Sequence, residues 1–295
     1  MAGAGTRSGE NPSGVAPRDS APPAALPMRD RLALHAWTLD TTALARVLQV
    51  ARATGWNAVE LRRVDFQRAR EAGQPLEAVL ALVRASGLAV ACVGGERGFM
   101  FARGDERRRV MAGWAESCGW ARDLGAGLVM SPTDPGHGDL AEAASSLREV
   151  GDLAAEHGVR VAVEAFSQAT RFRTLGDARE ILAKAGHPAC GLLVDAYHLI
   201  RSGDGLATVE DLSPGEIFYV QYADAPRDGG RPGQTADRLP PGEGRVPFRE
   251  LFALLASKRY AGYLSYEAPN PAAWARPPED VAHEAAVATR ALLPD

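Results

Sequence analysis

From Leu32 onward the chain alternates short apolar runs with longer amphipathic stretches, and the alternation repeats eight times. A short run of this kind reads as a strand buried on both faces, and such strands pair in parallel beneath covering helices. The runs are Leu32–Thr38, Ala58–Arg62, Leu88–Val93, Gly127–Ser131, Val159–Phe166, Gly191–Asp195, Ile217–Tyr222 and Gly262–Glu267. Asp40 or Thr41 is placed to cap a helix reaching about Thr54, with Gly55 closing it. Helical spacing recurs over Leu76–Ala85, Asp105–Leu124, Leu140–His157, Leu175–Ala185, Pro247–Lys258 and Glu279–Leu293, with a shorter piece near Val209. Eight such pairs predict an α/β fold, a single-domain (β/α)8 TIM barrel over residues 29–295, close to the usual ~250 residues. A doubly wound open sheet fits less well, because no glycine-rich phosphate loop follows the first run.

Composition narrows the partners. The net charge of −4 leaves no basic footprint for nucleic acid, and no apolar run approaches a membrane span. Residues 1–28 are rich in Gly, Ala, Pro and Ser and predict a disordered tail without the apolar centre of a secretory signal. Cys92, Cys118 and Cys190 are scattered, odd in number and lack metal spacing, which favours a reducing cytoplasm and a core role for each. A small-molecule substrate is the partner left, with neither nucleic acid nor membrane.

All strand C-termini of a parallel barrel open on one face. Six of them carry chemistry: His35, Glu60, Glu164, Asp195, Gln221 and Glu267. Four lie in phase on the fifth to eighth runs, and three buried carboxylates together demand a neutralising cation. The all-oxygen set Glu164, Asp195, Gln221 and Glu267 predicts one divalent ion, Mn²⁺ or Mg²⁺ ahead of Zn²⁺. His198, three residues past Asp195, is a candidate for proton transfer near neutral pH. Arg62, Arg63, Arg97 and Arg238 fall on rim loops, where a guanidinium can grip a carboxylate or phosphate. Trp37, Phe99 and Phe166 are candidates for an apolar wall, and Asp224 for a loop anchor. The Gly/Pro-rich stretch Ala225–Arg245 has the composition of a lid or of plain turns.

Five segments carry a family resemblance: VAVEAF around Glu164, GLLVDAYHLIRSG around Asp195 and His198, FYVQYADAP around Gln221 and Asp224, DRLPPGEGRVPF around Arg238, and GYLSYE around Glu267. In this order, one per strand, they resemble the xylose isomerase-like TIM-barrel superfamily of sugar-phosphate isomerases, epimerases and endonuclease IV. The resemblance implies a metal-dependent isomerase or epimerase working next to the carbonyl of a sugar, sugar phosphate or related polyol through an enediolate. It gives metal ligation to Glu164, Asp195, Gln221 and Glu267, and proton transfer to Glu164 and Glu267, with His198 beside them. His35, Trp37, Glu60, Arg62 and Arg238 are the residues expected on the substrate. The epimerase branch has His where Gln221 stands, and Gln in that slot resembles the 3-dehydroshikimate dehydratases, so a lyase on the same metal site is the alternative. A carbohydrate-binding barrel without turnover is a second alternative. Endonuclease IV is set aside, since His137, His157, His187 and His283 fall in loops or at helix ends. The resemblance also implies a homo-oligomer.

Overall fold

A computed structural model describes residues 26–230 and 234–294. The expected tail therefore falls mostly outside the described residues, although Met28 is buried within a short 3₁₀ turn, Met28–Asp30. Eight strands follow: β1 (Leu32–His35), β2 (Ala58–Leu61), β3 (Ala89–Gly94), β4 (Leu128–Pro132), β5 (Arg160–Glu164), β6 (Cys190–Asp195), β7 (Ile217–Tyr222) and β8 (Leu264–Tyr266). Each pairs in parallel with the next, and β8 pairs with β1, so the sheet closes into the predicted TIM barrel.

Helices α1 (Leu44–Ala53), α2 (Arg63–Glu71), α3 (Leu76–Ala85), α4 (Gly104–Leu124), α5 (Leu140–Glu156) and α6 (Leu175–Ala185) run between the strands in the first part of the chain. The rest are α7 (Ala196–Arg201), α8 (Leu206–Glu210), α9 (Phe248–Ser257), α10 (Pro271–Trp274) and α11 (Pro278–Arg290). The main core lies between strands and helices, where Leu32, Leu34, Val59, Val161, Val163, Leu192 and Val194 face outward onto them. Side chains alternate along each strand, so the intervening residues fill the barrel axis: Ala33, Ala58, Ala91, Ala162, Leu193 and Tyr219.

Some sequence boundaries shift for physical reasons. The first run stops as a strand at His35, whose Nδ1 accepts the Trp37 N–H and turns the chain into a 3₁₀ helix, Ala36–Leu39. Neither Asp40 nor Thr41 caps α1; Ala43 occupies that position, while the Asp40 carboxylate pairs with Arg62 and Arg68 and the Thr41 hydroxyl donates to the Trp274 carbonyl. Helix α2 was not expected from the sequence. It is mostly charged, and Phe66 is the one large apolar side chain it buries, so its apolar period is too sparse to read. Instead Asp65 takes the N–H of Arg62 at its N-terminus, and Phe66 stacks on Trp120 at 4.4 Å. Strand β5 ends at Glu164 rather than Phe166, and α11 ends at Arg290 rather than Leu293.

Candidate active site

Every strand-end candidate sits two residues past an axis-facing position: His35 after Ala33, Glu60 after Ala58, Glu164 after Ala162, Asp195 after Leu193, Gln221 after Tyr219, and Glu267 after Ser265. The two-residue period therefore turns all six toward the axis at its C-terminal end. All are buried, as is His198 on the first turn of α7.

Arg238 ties the centre together. Its Nη1 donates to Asp195 Oδ2 at 2.8 Å and to Glu267 Oε2 at 2.9 Å, and its Nη2 lies 3.1 Å from His198 Nε2. A guanidinium can only donate, so His198 Nε2 accepts and its proton resides on Nδ1, which donates to Ser167 Oγ at 2.8 Å. His198 is thus a neutral imidazole, and burial takes its pKa down to about 4. Its 3.9 Å separations from Glu164 and Asp195 are accordingly not ion pairs.

Asp224, at the end of β7, fixes the loop that delivers Arg238. Its Oδ1 accepts the N–H groups of Ala225 and Val246, and its Oδ2 those of Gly242 and Gly244. The expected anchor role of Asp224 matches these four bonds. A Cβ at Gly244 would lie 2.1 Å from the Ala225 carbonyl, so this approach requires glycine.

The carboxylates differ in state. Burial pushes Glu164 well above the ordinary carboxyl range, with Asp195 and Glu267 adding to the shift, and its Oε1 has no hydrogen-bond partner. Burial also raises Glu267, Arg238 offsetting only part of it. For Asp195 burial works upward too, but the Arg238 charge and the Tyr197 N–H outweigh it and hold the group below its usual value. Glu60 is lifted to about 8, first by burial and then by Glu267. Its oxygens accept from Tyr219 Oη at 3.0 Å and Gln221 Nε2 at 2.8 Å. His35 is neutral, its pKa lowered by burial and by Arg62, and its Nε2 lies 3.5 Å from Glu60 and 3.4 Å from Glu267.

These residues fit a divalent cation. Three buried carboxyl groups, Glu164, Asp195 and Glu267, gather around one buried guanidinium, and Glu164 Oε1 and Gln221 Oε1 are buried acceptors without partners. Glu164, Asp195 and His198 offer ligand atoms within 4.8 Å of one another. Because Gln221 commits its NH₂ to Glu60, its remaining valence is an oxygen acceptor. Oxygen donors of this kind suit a hard ion.

A cavity of about 470 Å³ opens above the centre, bordered by Glu164, His198, Glu267, His35, Trp37 and Phe166 among others. Glu60 does not border it; its carboxylate is spent on Tyr219 and Gln221 beneath. Arg62 does border it, with its guanidinium held by Asp40 and Asp65 at 2.7 Å each. Phe99 is core, edge-on to Trp114, while Phe166 lies edge-on to His198. Ser167, Tyr197 and Tyr219 also touch the centre, on His198, Asp195 and Glu60 respectively, and none of them stands out in the sequence. A serine three residues past a strand-end Glu carries no signal by itself.

The sequence pattern of the xylose isomerase-like TIM barrel family matches residues 48–292. A curated 3-dehydroshikimate dehydratase of Pseudomonas putida is 26% identical over 235 residues, covering 76% of this chain and 36% of that protein. An inosose isomerase of Halalkalibacterium halodurans is 29% identical over 123 residues, 41% of this chain and 43% of that one. This chain thus spans less than half the length of either. Among solved structures, that of the IOLI protein with a binding zinc atom superposes with a TM-score of 0.73 at 19% identity, over 89% of this chain and 96% of that one.

Proposed function

Because the chain belongs to the xylose isomerase-like TIM barrel family, we propose that it is an enzyme that moves a proton from the carbon next to a carbonyl. The substrate is a small polyhydroxylated ketone or aldehyde, and the outcome is isomerisation or epimerisation. Glu164, Asp195, Gln221 and Glu267 would hold the divalent ion, Mn²⁺ or Mg²⁺, which when bound polarises the carbonyl and stabilises the enediolate.

The observation that carries this reading is Glu164: a carboxyl group on the cavity wall, its Oε1 unpartnered, beside two further carboxylates. Glu164 accepts the carbon-bound proton, and the electron pair of that bond moves into the enediolate. Glu267, the residue just past β8, is the group to return a proton to the adjacent atom or to the other face. Arg238 orients Glu267 and Asp195, while neutral His198 holds Arg238 with its Nε2 lone pair. His198 therefore acts on the guanidinium and not directly as a general acid. Trp37 and Phe166 exclude water from one side.

The test is exchange in D₂O. Protein loaded with Mn²⁺ is expected to place deuterium at the carbon next to the carbonyl of a turned-over ketose, and Glu164→Gln to lose the exchange. The metal arm is read by thermal unfolding: Mn²⁺ at 100 times its Kd adds about 2.7 kcal/mol to the wild type. The same Mn²⁺ does nothing for a Glu164→Ala, Asp195→Ala double variant. Deuterium-free product, or stabilisation surviving in the double variant, overturns the assignment.

Gln221 favours one second reading, a lyase on the same site. It stands where the epimerase branch carries His, and the dehydratase relative covers 76% of this chain. Here Glu164 takes the proton next to the carbonyl, the C–H electron pair forms the new double bond, and the β-hydroxyl leaves with the C–O pair as water, taking its proton from Glu267. Incubation with 3-dehydroshikimate separates the two, because only the lyase gives the ultraviolet absorbance of an aromatic catechol acid.

A further inference from the structure

Five arginines border the cavity: Arg62, Arg63, Arg68, Arg97 and Arg238. Four are neutralised by the protein itself. Arg62 pairs with Asp40 and Asp65, Arg68 with Asp40, and Arg238 with Asp195 and Glu267. Arg63 pairs with Glu96 and Glu116. Arg97 has no hydrogen bond or carboxylate partner among the described residues. Its guanidinium lies 5.3 Å over the ring of Phe166, which is itself edge-on to His198 at 5.2 Å.

An unpaired arginine on a mobile surface loop would mean little, but the backbone on either side of Arg97 is pinned. Gly95 N–H donates to the Met130 carbonyl at 2.7 Å. Gly98 and Met100 donate to the two oxygens of buried Asp134 at 2.8 and 2.6 Å. Arg97 and the Phe166 ring beneath its guanidinium both line the cavity, so an arginine whose N–H donors no described residue takes stands at the cavity wall. The cavity floor is rich in carboxylates, so an anionic ligand enters only if a cation meets it. A single guanidinium matches one carboxylate in charge and in bidentate geometry, whereas a phosphate dianion calls for further donors.

We propose that Arg97 is the specificity anchor for a carboxylate on the substrate, so that the substrate is a polyhydroxylated keto acid and not a neutral sugar. The inference rests on the reading of the site given above, and it narrows the substrate class there.

The probes are quinate, an unreactive polyhydroxylated carboxylate, and its methyl ester, which keeps the shape without the charge. Calorimetric titration of the Mn²⁺-loaded chain is expected to show quinate binding about tenfold more tightly than the ester. Arg97→Gln should bring quinate down to the affinity of the ester and leave the ester unchanged. Arg97→Lys should keep part of the preference. The Arg97 side chain is exposed, so both variants should fold with an unchanged melting temperature. Equal binding of acid and ester by the wild type, or a preference surviving in Arg97→Gln, overturns the anchor while the proton-transfer site stands. So does fructose 6-phosphate binding more tightly than quinate in an Arg97-dependent way. If the wild type binds none of the three, the polyhydroxylated substrate class fails and the anchor goes with it.

Discussion

Gln221 on β7 donates its side-chain amide to Glu60 on β2 at 2.8 Å, inside the barrel and past the two strands, β8 and β1, that separate them in the sheet. The bond fixes which end of the Gln221 amide is free, and that end is an oxygen. If Gln221 holds the proposed ion, Glu60 is the group that orients that side chain, as outer partners of metal sites do. Replacing Glu60 with Ala should weaken Mn²⁺ binding by about tenfold to a hundredfold. Metal titration followed by thermal unfolding measures it, and an unchanged affinity would detach Glu60 from the centre.

Arg238 is the buried counter-charge for Asp195 and Glu267. Arg238→Met leaves two carboxylates without it, and losing one partner of a buried pair costs about 3–5 kcal/mol. Urea unfolding should show that loss. Added Mn²⁺ should recover more stability in the variant than it adds to the wild type, since the ion then replaces the missing charge.

The Asp224 carboxylate accepts four backbone N–H groups. Asp224→Asn turns one acceptor oxygen into a donor facing two N–H groups, leaving buried donors unsatisfied at about 1–3 kcal/mol each. The loop bearing Arg238 should then become cleavable by protease under native conditions. A loop as resistant as the wild type's would contradict its dependence on Asp224.

Asp40 supplies a pH test outside the carboxylate centre. Burial works to raise its pKa, but hydrogen bonds from Arg68 and Arg62 outweigh that and set it below the ordinary 3.8. A depressed carboxyl group contributes stability above its unfolded pKa and loses it as pH falls through the folded one. Melting temperatures measured from pH 7 down to pH 3 should fall less steeply for Asp40→Asn than for the wild type. Parallel curves would show that the cluster adds no acid-sensitive stability.

Much of this was legible before any coordinates, and the reason is periodicity. Strands bury alternate residues along the axis, so a polar residue ending an apolar run is pointed at the centre by its neighbours. Glu164, Asp195, Gln221 and Glu267 could be picked out for that reason, and all four face the axis. Arg238 was visible as a rim arginine, but its bond to Asp195, 43 positions away, depends on the path of a loop that no period describes. Ser167 and the Asp40 cluster were hidden for the same reason. Helix α2 escaped because charged residues carry it and Asp65 caps it, leaving no apolar stripe to read.

The alanines along the axis have a consequence of their own. Ala33, Ala58 and Ala162 lie directly beneath His35, Glu60 and Glu164, and each is a methyl group in a fully packed column. They behave as shims: one added carbon under a single donor would lift that donor and leave its neighbours in place. Selectivity in such a barrel can drift through residues that never touch a substrate, one support at a time.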